Sequence, residues 1–179
     1  PRSTLDRSSA ASDVYKRQLV RDEYQSTILS KVKEAQLFNQ KQDKVKVVYC
    51  PSYLLGNDGV FDLSYYDLLY GIDLTVFPSY YEPWGYTPFE SLCFGVPTIT
   101  TTLAGFGTWA LSHFPNENLA LKVIRRDDSN YQEVVIGVVS QIEKIARLSP
   151  TAYEALWEDA QQIGKAALWN KFFVFYQKA

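Results

Sequence analysis

The sequence lacks methionine and has very little histidine and cysteine: its 179 residues include no methionine, one histidine and two cysteines. So few thiol and imidazole groups cannot build a structural zinc site or a disulfide framework. Cys50 and Cys93 each lie in an apolar stretch, which predicts buried thiols in a reducing, cytoplasmic compartment. The single histidine, His113, is expected to be structural.

An excess of positive charge and long apolar runs are also absent. The chain has 18 Lys and Arg against 20 Asp and Glu, for a net charge of −2, so it lacks the basic footprint of a nucleic-acid-binding or membrane-surface protein. Its longest apolar runs, such as residues 134–139, are far shorter than the roughly 20 residues that span a bilayer. We therefore expect neither nucleic acid nor membrane as a partner.

The two ends suggest part of a larger protein. Without methionine there is no start residue, and the sequence stops at residues 175–179 without a capping signal or a polar tail. Residues 1–18 have neither helical nor strand periodicity and resemble translated adapter read-through. We predict a non-native or disordered leader over 1–18 and one partial domain over 19–179.

The domain alternates helical and strand patterns. Helices are predicted at 21–38, 64–70, 88–94, 130–148 and 151–176, and strands at 45–50, 72–77, 98–102 and 120–124. The glycine-containing residues 103–107 fit a tight turn. This order predicts an α/β class: a Rossmann-like parallel sheet flanked by helices, ending in long C-terminal helices.

The chemistry-bearing residues concentrate between a predicted strand and a predicted helix, at 78–90. Thr87, Pro88 and Glu90 fit an N-cap, a first helical residue and the reciprocal partner of a capping box. Gly85 would let the backbone approach a ligand, and the free N–H groups of a helix start suit phosphate. Ligands of open α/β sheets bind at this edge.

The residue types alone leave the role of each side chain open. Glu90 could serve only as a capping-box partner, and Glu82 could be only a surface carboxylate. The aromatic residues around Gly85 are more often packing groups than stacking platforms, although four aromatics in the seven residues 80–86 are unusual for a plain loop.

The run FPSYYEPWGYTPFESLCFGVPTITTTLAGFG closely resembles the nucleotide-sugar-binding domain of glycogen synthases of the animal and fungal type. Glu82 and Glu90, with seven residues between them, match the E-x7-E pattern of retaining glycosyltransferases with two facing Rossmann-like domains, the GT-B fold. The likeness covers about residues 19–179, so the chain would be most of the second domain.

The resemblance implies a catalytic role for Glu82, near the transferred glucose. It implies donor binding by six further residues: Tyr65 stacking on the base, Gly85, Tyr86 and Thr87 lining the diphosphate beside Trp84, and Glu90 bonding the ribose hydroxyls. The implied reaction transfers glucose from a nucleotide-glucose to the 4-hydroxyl at the non-reducing end of an α-1,4-glucan, with retention.

The same resemblance implies no metal or other cofactor, UDP-glucose rather than ADP-glucose as the favoured donor, and a homo-oligomer as one option for the intact protein. Two other functions stay open: another retaining GT-B transferase of the sucrose, trehalose or cell-envelope type, and a non-catalytic glucan-binding module.

Two departures from the family matter. Its donor-neutralising arginine and lysine lie before this chain begins, so the chain alone should be inactive. The region of 149–176 that carries an arginine run in regulated members has none here, which predicts no activation by glucose 6-phosphate.

Overall fold

A computed structural model describes residues 27–114 and 118–177. The predicted leader at 1–18 lies outside these residues. The chain divides between Leu68 and Leu69 into two compact units, and each is considered by itself. No helix of the described part is long and apolar enough to cross a membrane.

The first unit begins with helix α1, Thr27–Glu34, which ends four residues before the predicted 38. The N–H of Leu37 bonds Val32 O and that of Gln36 bonds Lys33 O, and Gln36 has a φ of 56°. This pattern, in which one hydrogen bond encloses the other around a left-handed residue, ends a helix. The periodicity of apolar residues could not reveal that stop.

The strand predicted at 45–50 is wrong, because those residues have no regular secondary structure. Val47 exchanges hydrogen bonds with a side chain instead of a neighbouring strand: Asn39 Nδ2 donates to Val47 O over 2.7 Å, and Val47 N donates to Asn39 Oδ1 over 2.8 Å. This β-branched run thus forms no strand.

Helix α2, Tyr65–Leu69, follows the turn at 56–62. Asp67 N donates to Ser64 Oγ over 3.3 Å, and Ser64 Oγ donates to Asp67 Oδ2 over 2.6 Å. This reciprocal pair specifies the start of the helix, as the sequence predicted to within one residue.

The second unit contains a three-stranded parallel sheet in the order β1-β2-β3, which confirms the predicted fold class. The strands are β1 Thr75–Val76, β2 Thr98–Thr101 and β3 Leu121–Ile124. Thr98 pairs with Thr75 on one side and with Leu121 on the other. Each strand is shorter than its predicted range but lies inside it.

Five helices accompany the sheet: α3 Tyr86–Cys93, α4 Gly105–His113, α5 Tyr131–Ala146, α6 Pro150–Ala166 and α7 Trp169–Tyr176. The predicted break at Ser149 is confirmed, since Ser149 Oγ accepts a hydrogen bond from Ala152 N over 3.2 Å, with Pro150 as first helical residue. The single helix predicted over 151–176 is wrong, because the chain breaks again at Ala167.

Helix α4 replaces the tight turn considered for 103–107. Its two glycines permit close packing rather than a reversal of the chain: a Cβ on Gly105 would lie 2.2 Å from Pro83 O, and one on Gly107 would lie 2.3 Å from Thr101 O. Both positions therefore exclude larger residues without needing a turn.

The core covers both faces of the sheet. On one face, Ile99 and Ile124 pack with Val134 of α5. On the other, Leu121 and Val123 belong to a larger buried cluster with residues of α3, α4, α5 and α6. Alternate residues of a strand point to opposite faces of the sheet. Apolar residues therefore occur on both faces, and helices pack against each of them.

Candidate active site

The 78–85 loop leaves β1 and enters α3 at the carboxyl edge of the sheet. Thr101 Oγ1, at the end of β2, donates to Ser79 O over 2.7 Å. The N–H of Glu82 donates to Leu103 O over 3.0 Å, and Gly105 N donates to Glu82 O over 3.1 Å. The main chain of Glu82 is thus fixed on both sides, by the segment that follows β2.

The carboxylate of Glu82 lies at the start of α3. Ser79 Oγ donates to Glu82 Oε2 over 3.2 Å, and the side chain is half-buried. The same oxygen lies 3.4 Å from where a Cβ on Gly85 would be. The catalytic residue implied by the family resemblance and the glycine expected to approach a ligand therefore share one small region.

The predicted capping box is wrong. Helix α3 begins at Tyr86, with Gly85 as its N-cap, and no side chain of the described residues caps it. Gly85 has φ 102° and ψ 78°, a left-handed conformation that favours glycine, and this starts the helix two residues earlier than the Thr87–Pro88 pattern indicated. Thr87 is the second helical residue instead of the cap.

The uncapped start of α3 fits the anion site expected there. The first N–H groups of a helix have no acceptor within the helix, and here no capping side chain occupies them. The positive end of the helix dipole adds to their attraction for an anion. Tyr86 and Thr87 contribute such N–H groups, whereas Pro88 has none.

Glu90 lies one turn into α3 and is half-buried. Burial raises the pKa of the Cys93 thiol, and the nearby Glu90 carboxylate raises it further. Both Cys93 and Cys50 are free and half-buried rather than fully buried. Glu82 thus lies in the loop after β1 and Glu90 lies within α3, as their spacing predicted.

The aromatic side chains of the region divide into packed and exposed groups. The ring of Trp84 packs edge-on against Phe106 and Phe172, with centroids 5.7 and 5.4 Å away. Tyr86 is 64% exposed and Tyr80 is 62% exposed. The ring of Trp84 is therefore a packing group, whereas Tyr80 and Tyr86 are largely exposed.

Tyr65, the residue expected to stack on the base, is the first residue of α2 in the other unit. Its ring centroid lies 5.4 Å from that of Tyr66, at an angle of 56° between the rings. The structure therefore describes its local packing, and its stacking on a base stays a prediction.

His113 lies at the end of α4, and its structural role stays a prediction. Its ring stacks on Trp109 with centroids 4.6 Å apart, and Nδ1 lies 2.8 Å from Trp109 O. Among the residues that the structure describes, no group of three or more His, Cys, Asp or Glu side chains could hold a metal ion.

Arg126 was not predicted from the sequence as a residue of the site. It comes two residues after β3 and is only 6% exposed. Its guanidinium contacts the 78–85 loop: Nη1 donates to Pro78 O over 2.5 Å. Two consecutive arginines directly after a strand were a signal available in the sequence.

Several known proteins of one family are similar to this chain. A family model described as glycogen synthase matches residues 6–179. The chain is 47% identical over 88 residues to glycogen [starch] synthase isoform 2 of Saccharomyces cerevisiae, covering 49% of this chain and 12% of that protein. It is 33% identical over 151 residues to the glycogen [starch] synthase of Caenorhabditis elegans, covering 84% of this chain and 22% of that protein.

The liver glycogen [starch] synthase of Homo sapiens is 42% identical over 92 residues, covering 51% of this chain and 13% of that protein. The chain thus spans less than a quarter of the length of each of these relatives. The family model, in contrast, covers nearly all of the chain. The chain therefore belongs to the glycogen synthase family.

Proposed function

We propose that this chain is the nucleotide-sugar-binding part of a retaining glucosyltransferase of the GT-B type. The enzyme would transfer glucose from UDP-glucose to the non-reducing 4-hydroxyl of an α-1,4-glucan, in the cytoplasm and without a metal or other cofactor. The observation that carries the proposal is the uncapped start of α3, with Gly85 beside the Glu82 carboxylate at the carboxyl edge of a parallel sheet.

The start of α3 would bind the donor diphosphate. The N–H groups of Tyr86 and Thr87 supply donors that no protein side chain caps, and the buried Gly85 leaves the approach to them free of a side chain. When the bond to glucose breaks, negative charge grows on the departing diphosphate. Preorganised donors at that position stabilise this charge.

Glu82 would act on the sugar. A carboxylate beside the anomeric carbon stabilises the positive charge that develops there as the leaving group departs. The hydrogen bond from Ser79 Oγ orients this carboxylate, and the two main-chain bonds to the 103–105 segment prevent the residue from shifting.

The remaining donor contacts are those that the family resemblance implies. Glu90, one turn further along α3, would accept hydrogen bonds from the ribose hydroxyls. Tyr65 would stack on the base, and Trp84, whose ring packs against Phe106 and Phe172, would support the loop beside the diphosphate. Acceptor-side groups would come from a first domain, and the basic residues that neutralise the diphosphate would come from a part of the enzyme that precedes this chain.

The binding proposal is tested by NMR titration of the 179-residue chain with UDP, ADP and a maltooligosaccharide. We expect weak UDP binding, with a Kd of about 1 mM or roughly −4 kcal/mol, because the basic pair is missing. Amide shifts at 85–90 and around Tyr65 with UDP, smaller with ADP, would support the proposal. Shifts with the oligosaccharide alone would indicate a glucan-binding module and contradict it.

The role of Glu82 is tested by Glu82→Gln, which keeps the shape of the side chain and removes its charge. In an enzyme that includes this chain, we expect glucose transfer to fall by about 100-fold or more, while UDP binding changes by less than about twofold. Glu133→Gln, an exposed substitution in α5, is the matched control and should leave both unchanged. Full transfer activity in Glu82→Gln would exclude its catalytic role.

A further inference from the structure

Arg126 is a buried arginine beside the proposed donor site. It comes two residues after β3, at the same edge of the sheet as the 78–85 loop, and only 6% of its surface is exposed. Its neighbour Arg125 is exposed. The two arginines thus differ in burial while sharing the same stretch of chain.

The guanidinium of Arg126 contacts two residues of the loop. Nη1 donates to Pro78 O over 2.5 Å, and the guanidinium carbon lies 3.4 Å from the centroid of the Tyr80 ring. The backbone N–H of Arg126 donates to Thr102 Oγ1 over 3.0 Å, which ties the arginine to the segment after β2. Pro78 and Tyr80 lie on either side of Ser79, the residue that bonds the Glu82 carboxylate.

Stability alone does not explain an arginine at this position. A buried charge is costly unless it is paired, and none of the ion pairs found among the described residues involves Arg126. A carbonyl oxygen and the face of a tyrosine ring are what the fold supplies instead. An apolar residue of similar size would avoid the cost but could not hold the carbonyl of Pro78.

We propose that Arg126 is a positioning residue for Glu82, an inference that rests on the proposed function. By holding Pro78 and Tyr80, Arg126 fixes Ser79 between them, and Ser79 Oγ then orients the Glu82 carboxylate toward the donor sugar. Thr101 Oγ1, at the carboxyl end of β2, also donates to Ser79 O. The loop is thereby set in shape before the donor binds.

The test compares Arg126→Met, Arg126→Lys and the matched control Arg125→Met in the full 179-residue chain. Native-state hydrogen exchange, followed by NMR, reports the opening of single amides. We expect the Glu82 and Gly105 amides to exchange about tenfold faster in Arg126→Met, with Thr100 in β2 changed by less than about twofold. Arg126→Lys, which keeps a donor for Pro78 O, should recover part of the protection.

Binding of UDP-glucose is measured on the same variants. We expect Arg126→Met to weaken it about fivefold, and Arg125→Met to leave it unchanged even though the charge removed is the same. Tyr80→Leu removes the ring over which the Arg126 guanidinium lies, and it should give the same local loss of protection at Glu82. Tyr81→Leu is its matched control.

The outcomes separate the two proposals. Equal acceleration of exchange at Glu82 and Thr100 would show a general stabilising role and overturn the inference, as would unchanged exchange at Glu82. A wild-type chain that binds no nucleotide or nucleotide-sugar in either titration would instead overturn the proposed function, whatever the exchange data show. If Arg126→Met does not fold, Arg126→Lys and Tyr80→Leu decide the question.

Discussion

Gly85→Ala tests directly whether the start of α3 binds the donor. At the φ of 102° that Gly85 adopts, a residue with a Cβ is strained by about 1–2 kcal/mol. The added methyl would lie 3.4 Å from both Glu82 Oε2 and Pro88 Cγ, which is ordinary contact and adds no clash. The loss of stability should therefore come from backbone strain alone.

The methyl group would, however, reduce the space between the Glu82 carboxylate and the start of α3, where the proposed function places the donor diphosphate. We expect UDP binding to weaken about tenfold, which corresponds to roughly 1.4 kcal/mol. Thermal unfolding should shift down by about 2–8 °C, since 1 kcal/mol corresponds to about 2–4 °C in a chain of this size.

Gly56→Ala is the matched control. Gly56 also has a positive φ, of 85°, but its nearest neighbour to an added Cβ is Ser64 N at 4.0 Å, so the substitution imposes strain without filling the proposed site. Calorimetry and UDP titration of both variants separate strain from obstruction. The reasoning is refuted if Gly85→Ala binds UDP as the wild type does, or if Gly56→Ala loses binding equally.

Three further predictions concern other parts of the chain. Ser149→Ala should lower the free energy of unfolding by about 1 kcal/mol, measured by urea denaturation, because the cap on Ala152 N is lost; an unchanged midpoint would contradict it. The hydrogen bond from the Phe61 N–H lowers the pKa of Asp58. This bond therefore stabilises the folded chain at pH values above the ordinary carboxyl pKa, and that stabilisation is lost as the pH falls through the lowered pKa. The Phe61 amide shift should accordingly titrate below about pH 3.9, and a midpoint above that value would exclude the bond. A full-length enzyme containing this chain should be insensitive to glucose 6-phosphate in a glucose-transfer assay, and strong activation would refute this.

The sheet was predictable because its signals are local. Each of the three strands is a short β-branched or aliphatic run, and β1 and β2 are each closely bounded by proline or glycine. The Ser149–Pro150 pair likewise marks a helix start within two residues. The strand predicted at 45–50 has the same local signal and is wrong, because pairing depends on a partner, and Asn39 bonds Val47 in place of one.

The glycines of the site could not be interpreted from their local pattern. Gly85 was expected to lie in the loop, yet its left-handed backbone is what begins α3 and leaves Thr87 within the helix. Gly105 and Gly107 suggested a turn, but they lie in α4, where Pro83 O and Thr101 O leave no room for a Cβ. A glycine in a sequence can indicate either a turn with a positive φ or a close contact that leaves no room for a Cβ. Only the neighbouring residues in the structure distinguish the two.

Arg126 shows why the residues of the proposed site were easier to predict than the residue proposed to position them. Glu82 and Gly85 belong to one short run whose spacing fits a loop-to-helix junction, whereas Arg126 bonds Pro78 across 48 residues of sequence. In a parallel sheet, however, all strands end at the same edge, so the first polar side chains after each strand meet there however distant they are in sequence. A buried arginine after β3 beside a loop after β1 is therefore a consequence of topology. Examining the residues that follow each strand would have identified it.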